Sequence, residues 1–275
     1  MSTVVKLCAG ISLMFQFIDC CQARSEHEVL VGAQAEQICN ASTIQIVGKF
    51  FKVDAFKIAP NGDYPNDAAV IAAAACKASP VNKQLTIVAV AYESDKEYIK
   101  KLVIALVDNL RGKVISGYQG EIGEDATMKV ESGSLWIDTA AYNLAKGVRA
   151  FGLDITSGYI ANCGDGGFGA MRTLYVQDRN EIRPILDELM MSHWTFVKGG
   201  NIRCMSDEYA KNNPETVIEN VSVSIKLGNG STNGYRDLLI TEVTDLDNDE
   251  ISGKKPVQYL WKFDGKKYFN ATGTK

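Results

Sequence analysis

Short, β-branched apolar runs separated by polar turns recur along most of this chain, and they constrain its fold more than any other feature. Residues 85–92 (LTIVAVAY) and 101–107 (KLVIALV) have strand length and strand composition. The second run leads through Asp108, Asn109, Leu110, Arg111 and Gly112 into 113–118 (KVISGY), a hairpin signal. Residues 135–139, 148–155, 172–176, 221–227, 238–243 and 259–263 repeat the form. Tight turns are expected at 178–181 (DRNE) and 264–267 (DGKK). Many short strands joined by turns predict a mainly β fold of antiparallel sheets, arranged as a sandwich or as propeller-like blades, with one or two short helices.

Helix signals are few. Asn66 and Asp67 precede an alanine-rich stretch, 68–79 (AAVIAAAACKAS), that reads equally as a capped helix ending before Pro80 or as a buried strand. Residues 184–191 (PILDELMM) can form a short helix with proline at its first position.

The N-terminus reads as an export signal. Lys6 precedes an apolar stretch at 7–18, and Cys21 and Ala23 place small residues around a cleavage point after 23. The run is too short to span a bilayer, which needs about 20 apolar residues. On this reading residues 1–23 are a signal peptide and 24–275 a single β-rich domain, periplasmic or secreted, with no transmembrane segment left after cleavage. A polar stretch near 205–215 (Lys211, Asn212, Asn213, Pro214) is the best candidate for a boundary within it.

The leader reading divides the seven cysteines. Cys8, Cys20 and Cys21 leave with the signal, whereas Cys39, Cys76, Cys163 and Cys204 remain, widely spaced. An even set of separated cysteines in an exported chain implies structural disulfides. Three pairings of four cysteines exist, and Cys39–Cys76 with Cys163–Cys204 is favoured, because Cys163 lies in a glycine-rich loop and Cys204 follows a glycine pair, where the chain can bend for them to meet.

Charge announces no partner. The formal net charge is −4 at pH 7 and no Lys/Arg stripe occurs, so the electrostatic footprint of a nucleic-acid or anionic-membrane binder is missing.

The most specific local pattern is 229–237 (NGSTNGYRD), followed at once by three apolar residues. Oxygen-bearing side chains at Asn229, Ser231 and Asn233, glycine at Gly234 and a carboxylate at Asp237 have the spacing of a loop that wraps a hard cation. The loop resembles that of FG-GAP and VCBS-type repeats, which lead into a propeller strand. The resemblance covers about a dozen residues and implies weak calcium binding at most, since Asp237 is its one carboxylate. A second acidic run holds Asp245, Asp247 and Asp249. It opens like an EF-hand loop but has Glu250 where glycine is needed and Pro256 where the bidentate glutamate belongs. Calcium is therefore the one cofactor for which the sequence offers ligands.

Catalytic patterns are thin. Residues 164–169 (GDGGFG) match a dinucleotide-binding glycine pattern but precede a strand rather than a helix, so a flexible turn is expected. Of two histidines, His27 and His193, the second lies beside Trp194 and lacks spaced metal-binding neighbours. Glu121, Glu124 and Asp125 include a candidate general acid. The expectation is a non-catalytic exported protein that recognises a protein or glycan through loops on a β scaffold. The alternatives are an inhibitor or immunity-type protein acting on an exported hydrolase, and a carboxylate-dependent hydrolase.

Overall fold

The computed structural model describes residues 36–53, 56–58, 70–158, 164–200, 216–247 and 254–272. The expected signal, the 205–215 joint, Cys163, Cys204 and Asp249 fall outside them. The described residues form one helix, α1 (Ala41–Phe51), and fifteen strands. The strands begin with β1 (Lys57–Ile58), β2 (Val70–Ala78), β3 (Leu85–Glu93), β4 (Ile99–Asp108) and β5 (Lys113–Gly123). Next come β6 (Leu135–Ala145), β7 (Val148–Ile155), β8 (Gly166–Phe168), β9 (Met171–Asp178) and β10 (Glu181–Met190). The last five are β11 (Ser192–Lys198), β12 (Val217–Thr232), β13 (Tyr235–Leu246), β14 (Val257–Phe263) and β15 (Tyr268–Asn270).

Two sheets result. Nine strands take the order β1-β2-β3-β4-β5-β10-β9-β7-β6, and six take β15-β14-β13-β12-β11-β8. Pairing is antiparallel except between β1 and β2 and between β5 and β10. The nine-stranded sheet curls until β2 approaches β6. Its concave side holds one core, which includes Ile87, Ala89, Leu102, Ile104, Ile137 and Leu153. The outer face of β2 to β4 carries Val88, Val90, Val103 and Ala105 and packs under Ile44 and Val47 of α1. Both faces of these strands are therefore buried, which is why 85–92 and 101–107 read as continuous apolar runs instead of alternating ones. The outer face at the other end, with Leu144, Leu174 and Ile185, packs against Leu238, Ile240 and Phe263 of the second sheet.

Two local expectations are decided by this packing. The alanine-rich stretch is strand β2, in register with β3 from Ala73 opposite Ala91 to Ala78 opposite Thr86. Burial on both faces overrides the helix preference of alanine. The proline-led helix expected over 184–191 is instead strand β10. Its ladder with β9 shifts between Pro184 and Leu186 and again between Leu186 and Leu189, whereas towards β5 only Glu181 opposite Gly117 is in register. Pro184, with no N–H to donate, thus sits beside an open seam, where a proline is tolerated.

The helix forms where the sequence reading had none. Asn40 caps it, its side chain accepting from Thr43 N at 2.8 Å, and Lys52 ends it in the left-handed region at φ 56°. Cys39 and Cys76 are joined by a disulfide across a separation of 37 residues, which ties the start of α1 to β2. That bond is one of the two expected.

Candidate functional site

Where the two sheets meet, the chain turns a corner twice. β10 of the first sheet ends at Met190 and β11 of the second begins at Ser192, while β8 of the second passes through Gly169 and Ala170 into β9 of the first. Backbone bonds hold both passages: Gly169 N donates to Ser192 O, and Met191 N to Ala170 O, each at 2.8 Å. Strands that change sheets make the corners of packed β structures, and such corners leave concave surface.

A pocket of about 670 Å³ opens at this corner. Phe168, Met190 and Trp194 provide its apolar wall, and His193 lines it beside them. Its polar rim comes from Thr127 after β5, from Thr156 and Ser157 after β7, and from Asp165 and Thr195. Gly167 lies opposite Trp194 in the β8–β11 ladder. A Cβ there would stand 2.6 Å from the indole Nε1, so only glycine lets the ring lie across the strand. Phe196 meets the same indole edge-to-face, with centroids 5.5 Å apart, and fixes its orientation. The glycine run expected to be a flexible turn is thus partly a strand, and its small residues form the seat of an aromatic side chain.

The rim is held from behind. Asp125 accepts from Thr127 N, Thr127 Oγ1 and Met128 N at 2.7–2.8 Å, and these bonds hold its carboxyl below the usual range, the Thr127 backbone bond contributing most. Glu124 accepts from Val130 N at 2.7 Å and pairs with Lys100 at 2.8 Å. Two of the three carboxylates singled out as candidate acids therefore organise the turn that presents Thr127. Across the pocket, Thr195 Oγ1 donates to Asp165 O at 3.2 Å and ties β11 to the approach to β8. Two hydroxyl-bearing segments that line the pocket with Trp194 are thus anchored.

The residues read as cation ligands occupy a different part of the molecule. Asn233 and Gly234, at φ 48° and 86°, form the two-residue turn joining β12 to β13. Asn229 and Ser231 lie in the last part of β12, beyond a register shift after Leu227. Asp237 is buried and accepts from Thr232 Oγ1 at 2.7 Å. Asn233 donates its side-chain amide to Phe263 O at 2.8 Å, away from Asp237. Asp245 lies eight residues further along β13, about 27 Å away at the rise of an extended strand. Asp247 accepts from Ile218 N at 2.9 Å beside it. The acidic run is thus separated from the turn by most of a long hairpin. Among the described residues no group of three or more His, Cys, Asp or Glu side chains gathers as a metal cluster.

Comparison with known proteins returns no family model, no curated protein and no solved structure that matches this chain.

Proposed function

We propose that the protein is an exported binding protein that recognises a glycan at the Trp194 pocket. The observation that carries this reading is the arrangement of the pocket itself. A half-buried indole is seated on Gly167 and held by Phe196, facing an open volume rimmed by the hydroxyls of Thr127, Thr156, Ser157 and Thr195. A pyranose ring has apolar C–H faces that stack on such an indole, and equatorial hydroxyls that need donors and acceptors around its edge. Asp165 supplies one carboxylate acceptor, and His193 supplies a nitrogen that can donate or accept. An anionic ligand would call for a lysine or arginine, which the described lining lacks, and a protein partner would favour a flatter and larger contact.

Export rests on the leader reading, and the disulfide between Cys39 and Cys76 accords with an oxidising compartment. Among the described residues lining the pocket the polar side chains are mainly hydroxyls and Asp165 is the one carboxylate, where a glycosidase uses a pair, which favours recognition over hydrolysis.

The experiment is a glycan array probed with the wild-type chain and with Trp194→Ala. Trp194→Ala should lose at least tenfold in affinity for whatever glycan the wild type retains, a stacking contribution of about 1.4 kcal/mol or more. Retention of the same glycans at the same strength by Trp194→Ala would remove the pocket from recognition.

A further inference from the structure

A second cavity, independent of the Trp194 pocket, enters the core of the curled sheet through the seam between β5 and β10. The two strands meet in register only at Glu181 and Gly117 and diverge from there. A cavity of about 300 Å³ occupies the gap. Its floor is core apolar surface, with Leu102, Ile122, Met128 and Met171, and its wall carries Tyr118 and Tyr175 with ring centroids 5.3 Å apart. Glu121, Asp187 and Glu188 stand at its mouth.

Glu188 is the unusual member of that rim. It adopts φ 44°, a left-handed conformation that is rare for a residue with a side chain, in the bulged part of β10. Its N–H donates to Thr173 Oγ1 at 3.1 Å, so the strained turn is fastened to β9. Bulges of this kind re-aim side chains at strand edges. Asp187 is paired with Lys267, and Glu121 with Lys101 and Lys96. Glu188 pairs with no basic side chain among the described residues, and so its carboxylate sets the sign of charge at the opening.

We infer that this seam cavity binds a small organic cation, an ammonium group carried on an apolar body of about one ring. The body occupies the apolar floor, the ammonium lies against the tyrosine faces, and Glu188 is its counter-charge. A ring with a two-carbon tail fills such a space without displacing core residues. The local field has the matching sign: burial does most to hold the Tyr118 and Tyr175 phenols above their ordinary range, Tyr118 comes next at Tyr175, and the negative charge of Asp187 and Glu188 adds to the rise at both, opposed by Lys267 at Tyr118 and by the Thr173 hydroxyl at Tyr175. Nothing in this inference depends on the glycan reading, since the two cavities share no lining residue.

The test is calorimetric titration of the full chain with 2-phenylethylammonium, 2-phenylethanol and phenylacetate, which share one body and differ in charge. The ammonium should bind, the alcohol roughly fivefold or more weakly, and the carboxylate not measurably. Glu188→Gln keeps the exposed position and its backbone bond, and should bring the ammonium down to the alcohol. Tyr118→Leu should weaken the ammonium more than the alcohol. Equal affinities for the three probes, preference for phenylacetate, no binding of any probe, or an ammonium affinity untouched by Glu188→Gln would overturn the inference.

Discussion

The side chain of Gln37 pairs with the backbone of Ile137 as a second peptide group would. Its Nε2 donates to Ile137 O at 2.9 Å, its Oε1 accepts from Ile137 N at 2.8 Å, and its own carbonyl accepts from Cys76 N at 2.9 Å. One fully buried residue thereby connects β2 to β6, the strands that the curl of the nine-stranded sheet brings together. Backbone groups at an incompletely closed edge would otherwise be buried without partners.

Replacing Gln37 with leucine should therefore cost about 1–3 kcal/mol, since it leaves the Ile137 N–H without its partner and Ile137 O with the Lys77 ammonium alone, at 3.2 Å. Urea denaturation of wild type and variant measures the loss. A change below about 0.5 kcal/mol would mean that water or a neighbouring side chain satisfies Ile137 without it.

The disulfide two residues away should be worth about 3–4 kcal/mol for a loop of this length. Cys39 and Gln37 hold the same segment against β2 through Cys76. The double variant Gln37→Leu with Cys39→Ala should accordingly lose less than the sum of the single losses, by 0.5 kcal/mol or more. Strict additivity in a double-mutant cycle would show that the latch and the disulfide act separately.

A polar network on the outer face of the same sheet sets a third expectation. Arg172 grips Asp154 through two bonds at 2.6 and 2.7 Å and meets Asp138 at 2.6 Å, while Tyr142 donates to Asp138 at 2.7 Å. Gly152 leaves the space for this: a Cβ there would lie 3.2 Å from both Arg172 Cδ and Asp138 Cβ. Arg172→Met leaves the buried carboxylate of Asp154 and the half-buried one of Asp138 without their cation and should destabilise by about 3–5 kcal/mol. Adding Asp138→Asn and Asp154→Asn to it should restore part of that loss; a further loss in the triple variant would contradict the pairing.

Tyr142, Tyr175 and Tyr268 are all held above the ordinary tyrosine range, chiefly by burial, with Asp138 adding to the effect at Tyr142 and Asp237 at Tyr268. Unfolded tyrosine loses its proton near pH 10. Above that pH the unfolded chain binds fewer protons than the folded one, so stability falls as pH rises, while below it these groups contribute no pH dependence. Thermal melts should be level in this respect up to about pH 9.5 and fall steeply beyond it. Absorbance at 295 nm should show part of the eleven tyrosines ionising only with unfolding. A single ordinary titration of all of them in the folded state would refute the burial assigned here.

The strand framework was legible in the sequence because β-branched runs and Asp/Asn/Gly turns are local signals. The turn at Asp264 is an example: its side chain accepts from Lys266 and Lys267 N, as the residues suggested. Helix α1 was not legible, because Ile44, Ile46 and Val47 are β-formers and only docking onto β3 and β4 makes their helix stable. Strand β10 is hidden in the sequence because a proline followed by ILDELMM is a good local helix start, and nothing local shows that Pro184 faces an open seam. The Trp194 pocket was half visible. His193 and Trp194 are sequence neighbours and the glycines signal a turn, but their register across a three-residue ladder comes only from folding. Glu188 carried no signal, since its backbone conformation follows from the bulge pattern of β10 against β9.

The most direct test of the glycan assignment uses the three tryptophans, Trp136, Trp194 and Trp261, each with one indole N–H. With ¹⁵N-labelled tryptophan, each indole gives one resonance, assigned by single Trp→Phe variants. Addition of a glycan retained on the array should shift or broaden the Trp194 resonance, with the other two left in place. Movement of Trp136 or Trp261 with Trp194 unmoved, or no movement of any of the three under saturating glycan, would contradict recognition at the Trp194 pocket.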